Sequence, residues 1–288
     1  MKLELSSLAL KKMINSLSDQ RQSALLSILT PTQLIKYEKS PKLASSPLNN
    51  LSLEHLCAKI HPSYFIETLK LYSDIDRRFY LSSLSEKSQD YLTNYFKDPL
   101  QPYTLNPSLQ KFTLEMLFTK AFKIDNRPTP LSFLPEEPLL FLANASYDQL
   151  KTLCDALGLF DVVAELKKVI RSSTLKNIEN SLTPDDLTFI QQIQNYRPNP
   201  LFQEIGLNNF AGDHALFKNI IFLRGLNRLS IALANSSDPL IWYILHTFSI
   251  NEAEQFKSLK FKIKENTTQL SLIEQVIFTW NKKCIHSH

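Results

Sequence analysis

The sequence predicts an all-α protein, built from tandem pairs of short helices that form two or three units. Only four glycines occur in 288 residues, which leaves few of the tight turns that join antiparallel strands. Helix-start signals recur along the chain, and the apolar residues between them follow three- and four-residue spacing. Because such a helix offers one apolar stripe, we expect the helices to stack against one another.

Composition excludes several functional classes. With 43% hydrophobic and 21% charged residues the chain is an ordinary globular protein, and its length predicts more than one core. A net charge of +4 is too small to predict a nucleic-acid partner. Loops that cradle phosphates need several closely spaced glycines, and the chain has no such run. Nucleotide-dependent enzymes are therefore disfavoured.

The termini and the cysteines predict a cytoplasmic protein. Glu4 interrupts the apolar stripe near the N-terminus, so the segment is not typical of a secretory signal. No apolar run approaches the roughly eighteen residues of a membrane span, which predicts no membrane insertion. Cys57, Cys154 and Cys284 are odd in number and far apart, as in proteins of a reducing compartment.

Capping boxes mark the expected helix starts. In each, a Ser or Thr side chain accepts from a first-turn amide, and an acid or amide three residues later returns the bond. The five pairs are Thr30–Gln33, Ser146–Gln149, Thr183–Asp186, Ser249–Glu252 and Ser271–Glu274.

Apolar stripes and prolines divide the chain into three expected domains. Leu150 to Leu157 carries one stripe and Val162 to Ile170 the next, so we expect two short helices there. Prolines near residues 99–102, 128–130 and 198–200 mark breaks. The expected domains are an N-terminal helical domain at 1–98, a middle domain at 106–195 and a C-terminal domain at 206–288.

Catalytic and metal-binding patterns are weak. His55, Cys57 and His61 are close in sequence, but no second ligand pair follows, so we expect a buried cysteine beside a histidine at a helix end. Glu136–Glu137 and Asp185–Asp186 are expected at helix starts, where the helix dipole favours acids. The sequence predicts no catalytic residue, no cofactor and no metal.

The region from Leu226 onward predicts a compact four-helix unit that folds as a separate module. Ala232 and Ala253 are the expected close-packing positions. Ser249 and Ser271, the latter with Glu274, are the expected caps.

The order of these residues resembles the C-terminal helical domain of the flagellar motor switch protein FliG. That family typically shows A-L-x-x-[AS]-S, then I-L-x-N-M-S-x-R-A-A, then R-L-S-D-V-E. The corresponding residues here are Leu229, Ala232, Leu233, Ser236, Ser237 and Leu240, then Ile244, Leu245, Phe248, Ser249 and Ala253, then Leu270, Ser271, Ile273 and Glu274. The resemblance covers the last fifth of the chain and implies FliG-like, armadillo-like helical units.

The departures from the family argue against a rotary motor role. The acidic pair that follows the capping serine in the family is missing, and the E-H-P-Q signature of its middle domain is absent. A FliG-like scaffold without these residues is similar to the SctK-type accessory proteins of type III secretion. This implies a non-enzymatic cytoplasmic adaptor in a hetero-oligomer, peripheral at the inner membrane, that links the membrane ring to the sorting platform.

Three alternatives stay open: a divergent flagellar switch component, a secreted helical effector or chaperone-like binding protein, and an enzyme whose site has no recognisable motif. For the adaptor, the predicted partner-binding residues are four lysines that make one segment basic: Lys257, Lys260, Lys262 and Lys264. They are expected to attract an acidic segment of a protein partner.

Overall fold

The structure is a computed structural model that describes residues 11, 14–15, 18–39, 52–97, 102–122, 128–195, 205–259 and 266–285. Within these residues it contains fourteen α-helices and no β-strand, so the all-α prediction is confirmed. The armadillo-like pairing implied by the resemblance stays a prediction.

Of these helices, seven precede residue 145 and seven follow it. The first seven are α1 (Asp19–Ile28), α2 (Pro31–Lys39), α3 (Leu53–Lys59), α4 (Ile66–Leu69), α5 (Asp74–Leu81), α6 (Glu86–Phe96) and α7 (Pro107–Phe122). The others are α8 (Tyr147–Leu166), α9 (Ser172–Ser181), α10 (Pro184–Ile193), α11 (His214–Ala232), α12 (Asp238–Thr247), α13 (Ile250–Ser258) and α14 (Asn266–Lys283). Short 3₁₀ turns lie at Pro62–Phe65, Leu131–Phe133, Leu140–Asn144 and Leu207–Asn209.

The chain divides into two compact units, and both are discontinuous in sequence. The first comprises Met1–Asn144 and Ser236–Ile250; the second comprises Ala145–Asn235 and Asn251–His288. These boundaries differ from the three predicted ranges, 1–98, 106–195 and 206–288. One difference is that α12 comes late in the sequence but packs in the first unit; the other is that residues 106–144 of the predicted middle domain also belong to the first unit.

Hydrogen bonds and aromatic packing hold α12 in the first unit. The Glu137 carboxylate accepts from the backbone amide of Ser237 at 3.2 Å and from its hydroxyl at 2.6 Å. The Tyr243 hydroxyl donates to the carbonyl of Thr129 at 3.0 Å. Trp242 packs against the core cluster of this unit and stacks on His246 with ring centroids 4.0 Å apart. The expected four-helix unit after Leu226 is therefore split between the two compact units.

Helix α8 is the centre of the second unit and is one continuous helix. The first of the two stripes expected on separate helices, Leu150 to Leu157, lies wholly on it, and the second, Val162 to Ile170, lies on it as far as Leu166, where the helix ends. Most residues from Leu150 to Glu165 are buried, because α10, α11 and α14 all pack against this helix. A helix surrounded by other helices is apolar on several sides, so its stripes resemble those of two shorter helices.

Two glycines bring α8 and α11 into backbone contact. A Cβ atom on Gly158 would overlap the carbonyl oxygen of Ile221, and one on Gly225 would overlap the carbonyl oxygen of Cys154. The arrangement is reciprocal. On each helix, the residue four positions before the glycine has a carbonyl that contacts the glycine of the other helix. The two helices run antiparallel. Their backbones can approach this closely only because the contacting residues have no side chain.

A buried ion pair connects the same two helices to α14. Arg228 on α11 is 2% exposed and forms an ion pair with Asp161 on α8, whose side chain is 8% exposed. The guanidinium also donates to the side-chain oxygen of Gln275 at 2.7 Å and lies 5.6 Å from the ring centre of Phe160. Nearby, the Glu165 carboxylate accepts from the backbone amides of Ile205, Gly206 and Leu207.

Three of the five predicted capping boxes are confirmed. Thr30 with Gln33, Ser146 with Gln149 and Thr183 with Asp186 each exchange both hydrogen bonds. Ser249 lies directly before α13, where a cap is expected. The predicted cap formed by Ser271 and Glu274 is wrong, because α14 begins at Asn266 and both residues are exposed within the helix.

This difference gives a test of the caps. We expect Ser146→Ala to lower the free energy of unfolding by about 1 kcal/mol, because it leaves a first-turn amide of α8 without its partner. Ser271→Ala, in mid-helix, is expected to change it by less than about 0.5 kcal/mol. Urea unfolding followed by circular dichroism measures both. A loss at Ser271 as large as that at Ser146 would contradict a start of α14 at Asn266.

The small residues of the predicted C-terminal module are buried as expected. Ala232 ends α11 and Ala253 lies on α13, and each is 1% exposed. They belong to the second unit, in which α11 packs most extensively against α8. Residues 206–288 therefore lack the helix against which α11 packs.

Candidate protein-interaction surface

The structure describes one of the four lysines predicted to bind a partner. Lys257 is exposed on the last turn of α13. Lys260, Lys262 and Lys264 lie outside the described residues, so whether the four form one surface stays a prediction.

The weak metal and catalytic patterns are accounted for by local contacts. The ring nitrogen Nδ1 of His55 lies 2.8 Å from the Ser52 hydroxyl, and that of His61 lies 2.9 Å from the Ser63 hydroxyl. Burial raises the pKa of the Cys57 thiol to about 12, which keeps it protonated at neutral pH. In the described part of the chain, no three His, Cys, Asp or Glu residues are grouped as metal ligands would be.

The paired acids differ in role. Asp185 and Asp186 lie in the first turn of α10, as predicted. Glu136 and Glu137 precede the 3₁₀ turn Leu140–Asn144 and no α-helix, and the carbonyl of Glu137 accepts from the amide of Leu140 at 3.1 Å. The Glu137 carboxylate lies at the start of a different helix, α12, where it binds Ser237.

Helix α7 is apolar on two faces. Asn106 caps it by accepting from the amide of Leu109 at 2.9 Å, and Pro107 occupies the first position. One face carries Leu114, Leu117, Phe118 and Phe122 into the core of the first unit. This face explains how the helix is held in place.

The second face carries an exposed apolar stripe. Leu109, Phe112 and Met116 follow three- and four-residue spacing, and they are 37%, 61% and 37% exposed. Large apolar side chains in a row on a firmly packed helix are typical of a surface that another molecule covers. We call these three residues the α7 stripe.

Helix α5 runs antiparallel beside α7 and adds apolar side chains. At one end, the backbone amide of Tyr103 donates to the Ser82 hydroxyl at 2.7 Å. At the other end, the ammonium of Lys120 lies 5.2 Å from the ring centre of Tyr72. Exposed Ile75 shares a face of α5 with Arg78, and exposed Leu71 precedes Tyr72.

The ends of the stripe are positively charged. The guanidinium of Arg78 lies 5.5 Å from the ring centre of Tyr103, just before α7, and Lys120 lies one turn after Met116. A hydrogen bond to Tyr72, together with burial, raises the pKa of the Tyr80 hydroxyl to about 12.

Sequence reasoning missed this surface. The run from Leu109 to Phe122 is apolar at so many positions that it resembles a helix buried on all sides. The sequence does contain one signal of an exposed apolar face: α7 carries more apolar residues than a single face packed in a core requires. Which face is covered depends on the neighbours α3 and α5, which the sequence does not reveal.

Comparison with known proteins found no match among family models, curated proteins or solved structures. None of the helices in the described ranges is long and apolar enough to cross a membrane.

Proposed function

We propose that the chain is a non-enzymatic adaptor that binds other proteins through helical surfaces. The α7 stripe is the observation that carries this proposal, since it exposes three large apolar side chains on a helix anchored in a core. A surface of this kind suits a protein partner better than a small substrate, which is usually enclosed in a concave pocket.

The resemblance to FliG suggests the assembly in which the adaptor acts. We propose that the adaptor belongs to a bacterial type III secretion apparatus, where it links the inner-membrane ring to the cytoplasmic sorting platform. Its place would be the cytoplasm, at the inner face of that membrane. The buried positions of Ala232 and Ala253 are consistent with the residues on which the resemblance depends.

Co-purification tests the proposal. The tagged full-length chain is expressed in its own bacterium, membranes are solubilised in mild detergent, and recovered proteins are identified by mass spectrometry. We expect proteins of the secretion ring and of the sorting platform. Recovery of neither overturns the adaptor role. Recovery of flagellar rotor proteins, with loss of motility on gene deletion, would instead support a divergent switch component.

The four lysines give a second test of partner binding. We expect the quadruple change of Lys257, Lys260, Lys262 and Lys264 to Glu to weaken capture of the partner and to make the remaining binding less sensitive to salt. The matched control changes the same four lysines to Arg, which preserves the charge and should preserve capture. Pull-down at two salt concentrations measures the capture of the partner and its sensitivity to salt. Equal capture by the Glu and Arg variants would show that the four lysines do not bind the partner.

A further inference from the structure

We infer that the α7 stripe binds an amphipathic helix of a protein partner that carries carboxylates at both ends of its apolar face. This inference rests on the proposed adaptor function and names the chemistry of the partner.

The stripe has the dimensions of a helix-binding surface. Leu109 to Met116 is seven residues, or about 10 Å at 1.5 Å per residue, which matches two turns of a partner helix. Helix α5 packs beside α7, and its exposed Ile75 shares a face of α5 with Arg78. Two neighbouring helices with an apolar surface favour an incoming helix whose anchors are spaced three, four and seven residues apart.

The cations at the two ends lack carboxylate partners among the residues that the structure describes. Neighbouring Arg77 shows the contrast: its guanidinium pairs with Asp74 at 3.1 Å and donates to the carbonyls of Leu69 and Tyr72. Arg78 packs on the ring of Tyr103, and its buried Nε has no hydrogen-bond acceptor within the described ranges. Lys120 is similarly held over the ring of Tyr72.

These positions favour a partner with acids at both ends. The Nε atom of Arg78 is enclosed, so an incoming carboxylate would pair with the terminal guanidinium nitrogens, and such charge-assisted pairs are the stronger hydrogen bonds of proteins. Helix α7 itself carries two lysines, Lys111 and Lys120, and one acid, Glu115. Helix α5 adds charges of both signs, with Asp74 and Asp76 beside Arg78, so the preference for an acidic partner depends on Arg78 and Lys120, which attract acidic segments and repel basic ones.

The same charges disfavour two other occupants. A second copy of this chain, bound through the same face, would bring positive ends against positive ends. An anionic membrane is usually recognised by clusters of about four to eight basic residues, whereas the stripe has one cation at each end. A partner helix with acidic ends fits both the apolar spacing and the charge.

The test uses the full chain and synthetic helices of known composition. The probe is a fluorescent, stapled 18-residue helix with leucines along one face and glutamates at both ends; a second probe carries lysines in place of the glutamates. We expect fluorescence anisotropy to show at least about tenfold tighter binding of the glutamate probe. Equal affinity for the two probes overturns the inference.

Three variants locate the binding. Phe112→Glu is expected to weaken binding of the glutamate probe at least about tenfold, and Phe112→Ser should weaken it without adding charge. The matched control is Ile170→Glu, at a 94% exposed position in the second unit, which should bind like the wild type. Unchanged thermal melting checks that Phe112→Glu folds. If Phe112→Glu and Ile170→Glu bind the probe equally, the stripe is not the site.

Charge reversal gives the sharpest result. The double variant Arg78→Glu/Lys120→Glu is expected to prefer the lysine probe, while Lys176→Glu/Lys282→Glu, at exposed lysines of the second unit, should keep the wild-type preference. An unreversed preference overturns the role of Arg78 and Lys120 in binding.

Other occupants have their own outcomes. Binding to vesicles with 30% phosphatidylserine that Phe112→Glu abolishes, without binding of either helix, would assign the stripe to a membrane. Self-association abolished by the same variant would assign it to a second copy. Each result overturns the inference.

Failure here is distinguishable from failure of the adaptor role. If the wild type and Phe112→Glu recover the same ring and platform proteins from cells, the adaptor role stands and the stripe is not its docking surface. If the glutamate probe binds as expected but no ring or platform protein is recovered, the α7 stripe is supported as a docking surface and the proposed role in type III secretion is rejected.

Discussion

Gly225→Ala is expected to lower the free energy of unfolding of the second unit by about 3 kcal/mol or more. The added methyl group would overlap the carbonyl oxygen of Cys154, which belongs to the backbone of α8 and cannot rotate away. The two helices must therefore separate, and packing around the crossing is lost. This loss exceeds the roughly 1 kcal/mol that alanine gains over glycine in a helix. Gly158→Ala, which meets the carbonyl of Ile221, is expected to act similarly.

Two exposed positions on the same helices are the controls. Asn219→Ala on α11 and Thr152→Ala on α8 place a methyl group in solvent, so they should be neutral or slightly stabilising. Urea titrations of the four variants, followed by circular dichroism, provide the comparison. If Gly225→Ala were as stable as Asn219→Ala, the backbone contact between α8 and α11 would be disproved.

The second large effect is expected at the buried ion pair. Asp161→Leu leaves the guanidinium of Arg228, which is 2% exposed, without its counter-charge, and should cost about 3 to 5 kcal/mol. Arg228→Met should cost a similar amount, because it leaves the Asp161 carboxylate buried and uncompensated. Chemical unfolding of each variant measures the loss.

The double variant separates the pair from its parts. Asp161→Leu/Arg228→Met removes both charges together, so it should lose far less than the sum of the single changes. One oxygen of Asp161 has no hydrogen-bond partner in the described part of the chain, so the pair is incompletely compensated and its replacement need not cost stability. Additive losses in the double variant would show that the two side chains act independently.

Local sequence signals predicted what local interactions determine. The capping boxes at Thr183 and Ser146 are correct because a cap needs only residues three positions apart. The same signal failed at Ser271, since a serine and a glutamate three residues apart also fit an exposed face within a helix. The start at Asn266 depends on where the preceding chain turns, which no such pair encodes.

Local sequence signals did not predict contacts between residues that are distant in the sequence. Glycine scarcity correctly disfavoured strands, yet nothing adjacent to Gly158 and Gly225 reveals that each meets a carbonyl of the other helix. The placement of α12 in the first unit depends on Glu137 and Thr129, about a hundred residues earlier in the chain. The α7 stripe was missed for a related reason, because exposure of Phe112 is a property of its neighbours.

The late position of α12 has a consequence for synthesis. The first 144 residues leave the ribosome before Trp242, Tyr243 and His246 exist, although these side chains complete the first unit. At about 5 to 20 residues per second, roughly 100 further residues take about 5 to 20 s. During that time the nascent first unit exposes the apolar surface that α12 later covers. Its folding on the ribosome is therefore expected to pause until residue 250 emerges, and to depend on chaperones that shield this surface meanwhile.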